Sequence, residues 1–200
     1  ILAAAAELGY RTNAAARSLA DRRSRAVGVL ILDLHNPVFA EILDGVETEV
    51  RAQGYSTMLV TGGTDPVIEQ VELDKLHAEG VRHFLIDAPG KVVAEVAAAT
   101  RGRELLLFNV SAPDDALRQA QCQAHLYHTI PNHGMQADAL AQFLVAKKWR
   151  NVLLLQGPRD EDKLVGAAFE NSARRFGLKI VDKKDFVLSN DPRQRDLGNV

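Results

Sequence analysis

Residues 26–32 read Ala-Val-Gly-Val-Leu-Ile-Leu, and Asn-Pro-Val-Phe follows at positions 36–39. An unbroken apolar run of this length is typical of a β-strand that is buried on both faces of a parallel sheet. The Asn-Pro pair then predicts the start of a helix with proline in its first turn. Apolar residues recur at helical spacing as far as Val50, and Gly54 marks the end of that helix. A buried strand followed by an amphipathic helix is the building unit of α/β proteins.

The same unit repeats along the chain. Strands are predicted over 55–60, 81–86 and 104–110, with helices over 67–80 and 92–100 between them. This alternation predicts a parallel sheet with helices on both faces and right-handed crossovers. The polar stretch 111–131 interrupts it and is interpreted as the crossover to a second lobe. Helices over 132–147 and 160–176 and strands over 151–156, 178–182 and 185–188 predict a second, incomplete α/β lobe.

Composition narrows the function classes. The 200 residues are 46% hydrophobic and 25% charged, which is ordinary for globular domains, and Cys122 is the single cysteine, which excludes an internal disulfide framework. No apolar run approaches the roughly 18 residues that a membrane span needs, so no membrane insertion is expected. The sequence has no phosphate-binding loop and no nucleophile elbow, and the histidines near Cys122 have no second ligand pair. We therefore expect a binding protein without cofactor or metal rather than an enzyme.

Charge is unevenly distributed along the chain. Residues 1–25 carry five arginines against one glutamate and one aspartate, a net +3, which leaves −5 for the rest of a chain whose net charge is −2. Asn13 is placed to cap a short helix over 14–20. A positively charged segment over 1–25 followed by a negatively charged remainder predicts that the segment contacts nucleic acid or another anionic surface. The alternative is that the segment is a solvated basic linker. The chain starts inside a helical run and stops without a clear end signal, so we expect both ends to be cut.

Ligand-binding candidates lie where the predicted parallel strands end, because their carboxyl ends meet at one edge of a sheet. A cleft between two such edges suits one small polar molecule. Phe39 offers a stacking face there or, equally, packs in the core. The candidates, in chain order, are His35, Asn36, Phe39, Asp87, Asn109 and, in the second lobe, Arg159.

Residues 4–19 read Ala-Ala-Ala-Glu-Leu-Gly-Tyr-Arg-Thr-Asn-Ala-Ala-Ala-Arg-Ser-Leu. Together with residues 23–30 and 36–41 they carry a resemblance to the lactose-repressor (LacI) family of bacterial transcription regulators, which continues to about Gly80. It implies the end of a helix-turn-helix headpiece, a hinge helix that enters the DNA minor groove, and an effector-binding core of the periplasmic-binding-protein type 1 fold. The family usually has proline where this chain has Thr12.

The resemblance also implies the DNA contacts. Leu19 stands at the position of the apolar wedge that opens a base step, and the nearby arginines are placed to meet phosphates. Repressor-type cores often carry an effector-binding arginine after the Gly-Pro of the second lobe, and the nearest matches here are Arg159 and Lys163. The implied DNA-binding set is Asn13, Ala16, Arg17, Leu19, Arg22 and Arg23.

Characteristic stretches of the second part of the chain lie at residues 108–118, 122–131, 137–145, 148–149 and 193–197. They make roughly residues 81–200 similar to substrate-binding proteins of ABC transporters, in particular the group associated with quinoprotein alcohol oxidation. Both families share the two-lobed periplasmic-binding-protein type 1 fold. The expected domain organisation is therefore a headpiece remnant with hinge helix over 1–25, a first lobe over 26–110, a crossover over 111–131 and a truncated second lobe over 132–200.

These observations lead to two functional hypotheses. The first is a cytoplasmic, homodimeric LacI-type regulator that senses a small-molecule effector between its lobes and couples it to operator DNA through the hinge helix. The alternative is a periplasmic substrate-binding protein of an ABC transporter, which binds a small solute and no DNA.

Overall fold

The computed structural model of the protein describes residues 24–33, 37–62 and 64–186. The helices predicted before residue 24 lie outside the described residues. Strands and helices alternate along the described chain, and a short 3-10 turn at Asp115–Arg118 interrupts them. Their bounds are β1 (Ala26–Ile31), α1 (Pro37–Ala52), β2 (Ser56–Thr61), α2 (Pro66–Ala78), β3 (His83–Ile86), α3 (Gly90–Ala99), β4 (Leu106–Asn109), β5 (Leu126–His128), α4 (His133–Ala146), β6 (Asn151–Gln156), α5 (Asp160–Phe176) and β7 (Lys179–Asp185).

The described chain divides into two compact units. The first comprises residues up to Ala112 together with Ala120–Ile130, and the second comprises Pro113–Gln119 and the residues from Pro131 onward. None of the helices in the described ranges has the length and apolar character needed to cross a bilayer.

The first unit is built on a five-stranded parallel sheet in the order β2-β1-β3-β4-β5. Its core side chains are fully buried on the central strands and include Leu30, Phe84, Ile86 and Leu107. Gly28 in β1 leaves room for the Phe84 ring, because a Cβ at position 28 would lie 2.5 Å from a ring carbon. The parallel α/β architecture expected from the apolar run at 26–32 is confirmed.

The stretch 111–131 differs from its expectation as a plain crossover. Residues Leu126–His128 form β5, which pairs with β4 and extends the first sheet by one parallel strand. The pairing is backed by a hydrogen bond from the Leu107 amide to the His125 carbonyl (2.8 Å). The prediction missed this strand because three residues are too few to show an alternating pattern.

The second unit contains a parallel pair of strands, β6 and β7, with α4 and α5 packed beside them. Small side chains allow the two helices to approach closely, and the buried cluster consists of Ala137, Ala141, Ala168, Phe169, Ala173 and Leu178. Asp138 of α4 accepts hydrogen bonds from Ser172 and Arg175 of α5 (both 2.6 Å). β7 is one strand over 179–185, whereas two strands were predicted at 178–182 and 185–188. The register shifts between Val152 and Leu153 of β6, and the pairing of the two strands then continues to Asp185.

Candidate functional site: the carboxyl edge of the first sheet

The order of the strands defines where a ligand would bind in the first unit. β2 lies on one side of β1, and β3 lies on the other side. The direction in which successive strands are added to the sheet therefore reverses after β2. In open α/β sheets the crevice outside the carboxyl ends at such a switch point is the usual binding place. Here that point lies between the ends of β1 and β3.

Asp87 lies at this switch point. It follows β3 directly and is only 3% exposed. Its Oδ2 accepts a hydrogen bond from the backbone amide of Leu32 just after β1 (3.3 Å), and its own amide donates to the Leu30 carbonyl (2.9 Å). The Asp87 carboxylate is therefore held between the two strands whose separation creates the crevice.

Glu69 is a second carboxyl group at the same edge. It lies one turn into α2, is fully buried, and neither of its carboxyl oxygens has a hydrogen-bond partner among the described residues. Gly62 at the end of β2 is packed against it, since a Cβ at position 62 would overlap the Glu69 carboxyl carbon. Burial, together with the nearby carboxylates of Asp87 and Glu72, raises the pKa of Glu69 from 4.5 to about 7.

Asn109 shapes the neighbouring part of the edge. Its side chain is fully buried, and its Oδ1 accepts from the amides of Ser111 (3.3 Å) and Ala112 (2.9 Å). Its Nδ2 donates to the Ala112 carbonyl (2.7 Å) and lies 3.1 Å from His128 Nδ1 at the end of β5. The amide thus ties the loop after β4 to β5, and Ser111 Oγ carries the connection on to the Ala88 amide after β3 (3.2 Å).

The remaining expected ligand contacts are distributed over both units. Phe39 lies near the start of α1 and is half-buried, while His35 and Asn36 lie outside the described residues. Arg159 and Lys163 belong to the second unit, where both are exposed. Asp162 accepts hydrogen bonds from the Arg159 guanidinium and raises its pKa, and Asp160 does the same for Lys163. The six expected DNA-binding residues, Asn13 to Arg23, all lie outside the described residues.

A carboxylate beside a buried carboxyl group has a definite binding chemistry. Asp87 is an acceptor of hydrogen bonds, and neighbouring negative charge disfavours an anionic ligand. Such an edge suits a neutral molecule that carries several hydroxyl donors.

A family model described as periplasmic binding proteins and the sugar-binding domain of the LacI family matches residues 24–199. The chain belongs to that family. Among curated relatives, the regulator PtxS of Pseudomonas plecoglossicida is 30% identical over 86% of this chain and 49% of its own length. The ribose operon repressor of Bacillus subtilis is 30% identical over 95% of this chain and 56% of its own length. The regulator GntR of Escherichia coli K12 is 47% identical over 38% of this chain and 23% of its own length.

Solved structures of a repressor and of a transporter ligand-binding protein both show the same fold as this chain. A lac repressor dimer bound to operator and the anti-inducer ONPF aligns with a TM-score of 0.61 and 20% identity over 94% of this chain and 55% of that chain. A periplasmic ligand-binding protein of a branched-chain amino acid ABC transporter from Burkholderia xenovorans aligns with a TM-score of 0.70 and 17% identity over 83% and 48%. The periplasmic-binding-protein type 1 fold expected from the sequence is confirmed. The chain spans about half the length of the relatives it matches.

For this member of the LacI-type family, the sequence reasoning missed Glu69. The apolar residues Val67 and Val71 of α2 are both exposed, and the buried positions of this helix are Glu69, Leu73 and Leu76. These three follow the i, i+4, i+7 spacing of one helix face. The sequence therefore contains a signal for the burial of Glu69, because this glutamate lies on the same helix face as Leu73 and Leu76.

Proposed function

We propose that this chain is the effector-binding core of a LacI-type transcriptional regulator. The observation that carries the proposal is that relatives aligned over 86% and 95% of the chain are a transcriptional regulator and an operon repressor. The regulator works in the cytoplasm as a homodimer. Its action is sensing rather than catalysis, in keeping with relatives that are regulators and binding proteins.

The ligand side of the proposal places a small, neutral, polyhydroxylated molecule of the sugar class at the carboxyl edge of the first sheet. The family description names a sugar-binding domain, and Asp87 supplies an acceptor for hydroxyl donors there. Residues from both lobes contribute to binding in this proposal. They are His35, Asn36, Phe39, Asp87, Asn109, Arg159 and Lys163.

The DNA side of the proposal rests on the basic segment that precedes β1. A helix of about seven residues is marginal alone in water and forms when it packs against a partner and the groove. Leu19 acts as the wedge, and the arginines neutralise backbone phosphates. The proposed contacts are Asn13, Ala16, Arg17, Leu19, Arg22 and Arg23.

Two measurements test the proposal. The first titrates the full chain with a labelled DNA duplex at several salt concentrations, and affinity should fall steeply as salt rises because phosphate contacts dominate. Equal affinity at low and high salt would contradict the DNA side.

The second measurement is a thermal-shift screen with pentoses, hexoses and disaccharides. A ligand at 100 times its Kd adds about 2.7 kcal/mol to the free energy of unfolding, which corresponds to a rise in Tm of roughly 5–10 °C for a chain of this size. Asp87→Asn should abolish the shift, and the matched exposed control Glu95→Gln should retain it. A shift of equal size in both variants would refute the role of Asp87.

An ABC-transporter substrate-binding protein is the second candidate. It is favoured by the similarity of residues 81–200 to that class and by the fold shared with transporter binding proteins. The genomic sequence upstream of Ile1 discriminates between the two. A helix-turn-helix segment supports the regulator, and a signal peptide supports the transporter protein.

A further inference from the structure

The edge of the first sheet opposite Asp87 carries a groove of about 900 Å³. Its lining includes Arg25, Arg82, Arg101 and Arg103, which we call the arginine groove. Arg25 precedes β1, Arg82 precedes β3, and the other two lie in the turn before β4. Because the strands are parallel, the residues before them meet at one edge, and this brings together cations that are far apart in sequence.

Local contacts fix three of these side chains. Arg82 donates through Nη1 to the carbonyls of His77 (2.9 Å) and Val81 (3.0 Å). Arg101 donates through Nε to the Gln123 side chain (3.0 Å), and Arg103 forms an ion pair with Asp74 (2.5 Å). A guanidinium has five N–H donors, so the Nε bond of Arg101 leaves its terminal nitrogens able to bind an anion.

The positive charge of the groove contrasts with the rest of the chain. Among the described residues of its lining Glu104 is the one acidic residue, and Asp74 outside the lining pairs with Arg103, whereas residues 26–200 carry a net charge of −5. His125 also lines the groove, with its Nε2 3.0 Å from Thr100 Oγ1, and burial lowers its pKa. The positive charge of the groove therefore comes from guanidinium groups rather than from imidazole. Gathering guanidinium groups at one edge causes repulsion that a bound anion relieves, and Asp74 already offsets part of it at Arg103.

We propose that the arginine groove is an anion-binding site that takes phosphate groups, separate from the effector site at the carboxyl edge. Planar guanidinium forks bind phosphate oxygens in pairs, and the groove has the size of a small-ligand site. Two sources can supply this chemistry. One is a phosphorylated small molecule. The other is the backbone of DNA, because Ser24 and Arg25, which line the groove, directly follow the segment proposed to bind DNA.

The test uses the full 200-residue chain and inorganic pyrophosphate as the probe, with affinity measured by isothermal titration calorimetry. The double variant Arg25→Gln/Arg101→Gln removes two cations from exposed residues of the groove. The matched control Lys91→Gln/Lys148→Gln removes the same charge from residues outside the groove. We expect the arginine variant to lose about tenfold or more in affinity and the control to bind like the wild type. Equal affinity in all three proteins, or no binding by the wild type at millimolar pyrophosphate, would overturn the proposal.

A second arm identifies the source of the phosphate. If DNA supplies it, pyrophosphate competes with a short duplex, and the arginine variant lowers the slope of log affinity against log salt by about 1.8 for its two charges. If a small molecule supplies it, the arginine variant weakens pyrophosphate binding and leaves the duplex slope unchanged. Both results support the site. Absence of any duplex binding would contradict the proposed regulatory function. The proposed anion site is tested separately, by the pyrophosphate titration.

Discussion

Replacing Glu69 with glutamine should make the protein more stable, and increasingly so as pH rises. Glu69 is fully buried beside Gly62, and within the part of the chain that the structure describes neither carboxyl oxygen has a hydrogen-bond partner. Burial and neighbouring carboxylates raise its pKa to about 7. Glutamine has the same shape and cannot ionise. The substitution therefore removes the cost of a buried negative charge while keeping the packing of α2.

The size of the effect follows from the two pKa values. The folded protein holds the Glu69 proton more tightly than the unfolded chain, whose glutamate has its ordinary pKa of 4.5. The stability that this group contributes is complete below pH 4.5, falls as pH rises, and is lost once pH passes about 7. The difference between the two values corresponds to about 3 kcal/mol of unfolding free energy. Most of it is lost between pH 5 and pH 8.

Two half-buried histidines oppose this trend. Burial is the main cause that lowers the pKa of His77 and of His125, so the folded protein binds protons at these groups less tightly than the unfolded chain. Their contribution to stability is present above pH 6.5 and is lost as pH falls from there through the lowered pKa of the folded protein. The pH profile of the wild type alone therefore mixes the two signs. The difference between Glu69→Gln and the wild type at each pH isolates the carboxyl group.

Urea denaturation of the full chain at pH 5, 6, 7 and 8 measures this difference. Trp149 is the single tryptophan and lies in the second unit, so circular dichroism must be used to follow the first unit. We expect the stability difference to grow from about 1 kcal/mol at pH 5 to about 3 kcal/mol at pH 8. Glu95→Gln, which removes an exposed carboxyl group from α3, is the matched control. A Glu69→Gln difference that is constant from pH 5 to pH 8 would refute the reasoning.

Three further predictions concern packing and order. Gly28→Ala should cost about 1–3 kcal/mol in chemical denaturation because its Cβ overlaps the Phe84 ring, whereas Gly45→Ala, in open space on α1, should be neutral or stabilising. Asn132→Ala should lower the stability of the second unit by about 1 kcal/mol, because Asn132 Oδ1 caps α4 by accepting a hydrogen bond from the Met135 amide. Trp149 fluorescence measures this unfolding, and an unchanged denaturation midpoint would contradict the prediction. Native-state hydrogen exchange should show less protection in β6 than in β1, and equal protection would show that the second unit is not the weaker one.

The elements that the sequence predicted best are those with local start and end signals. β6 and α5 begin and end at the predicted residues. α5 has three acidic residues in its first turn and ends at Gly177, whose φ of +70° favours glycine. α1 likewise begins at the predicted Pro37. Such signals depend on neighbours within a few residues, and a single sequence contains them.

The elements that the sequence did not predict depend on partners far along the chain. β5 forms because its three residues pair with the edge of β4, which lies about twenty residues earlier in the chain. The role of Asn109 was also only half predicted. Its place at the end of β4 followed from the strand pattern, but its bonds to the Ala112 backbone and to His128 required the loop conformation. Partners of this kind are set by tertiary structure, and residue spacing does not contain them.

The path of the chain between the two units bears on how the protein can be divided for study. The chain leaves the first unit after Ala112, contributes Pro113–Gln119 to the second, returns for Ala120–Ile130, and leaves again. A single cut at Ala112 would therefore strip β5 from the first sheet and leave the β4 edge open to pairing with other molecules. A cut at Ile130 would keep that strand but remove Asp115, whose carboxylate accepts from the Gly134 amide (3.0 Å), from the second unit. No single cut between the two units therefore leaves both of them with all of their residues.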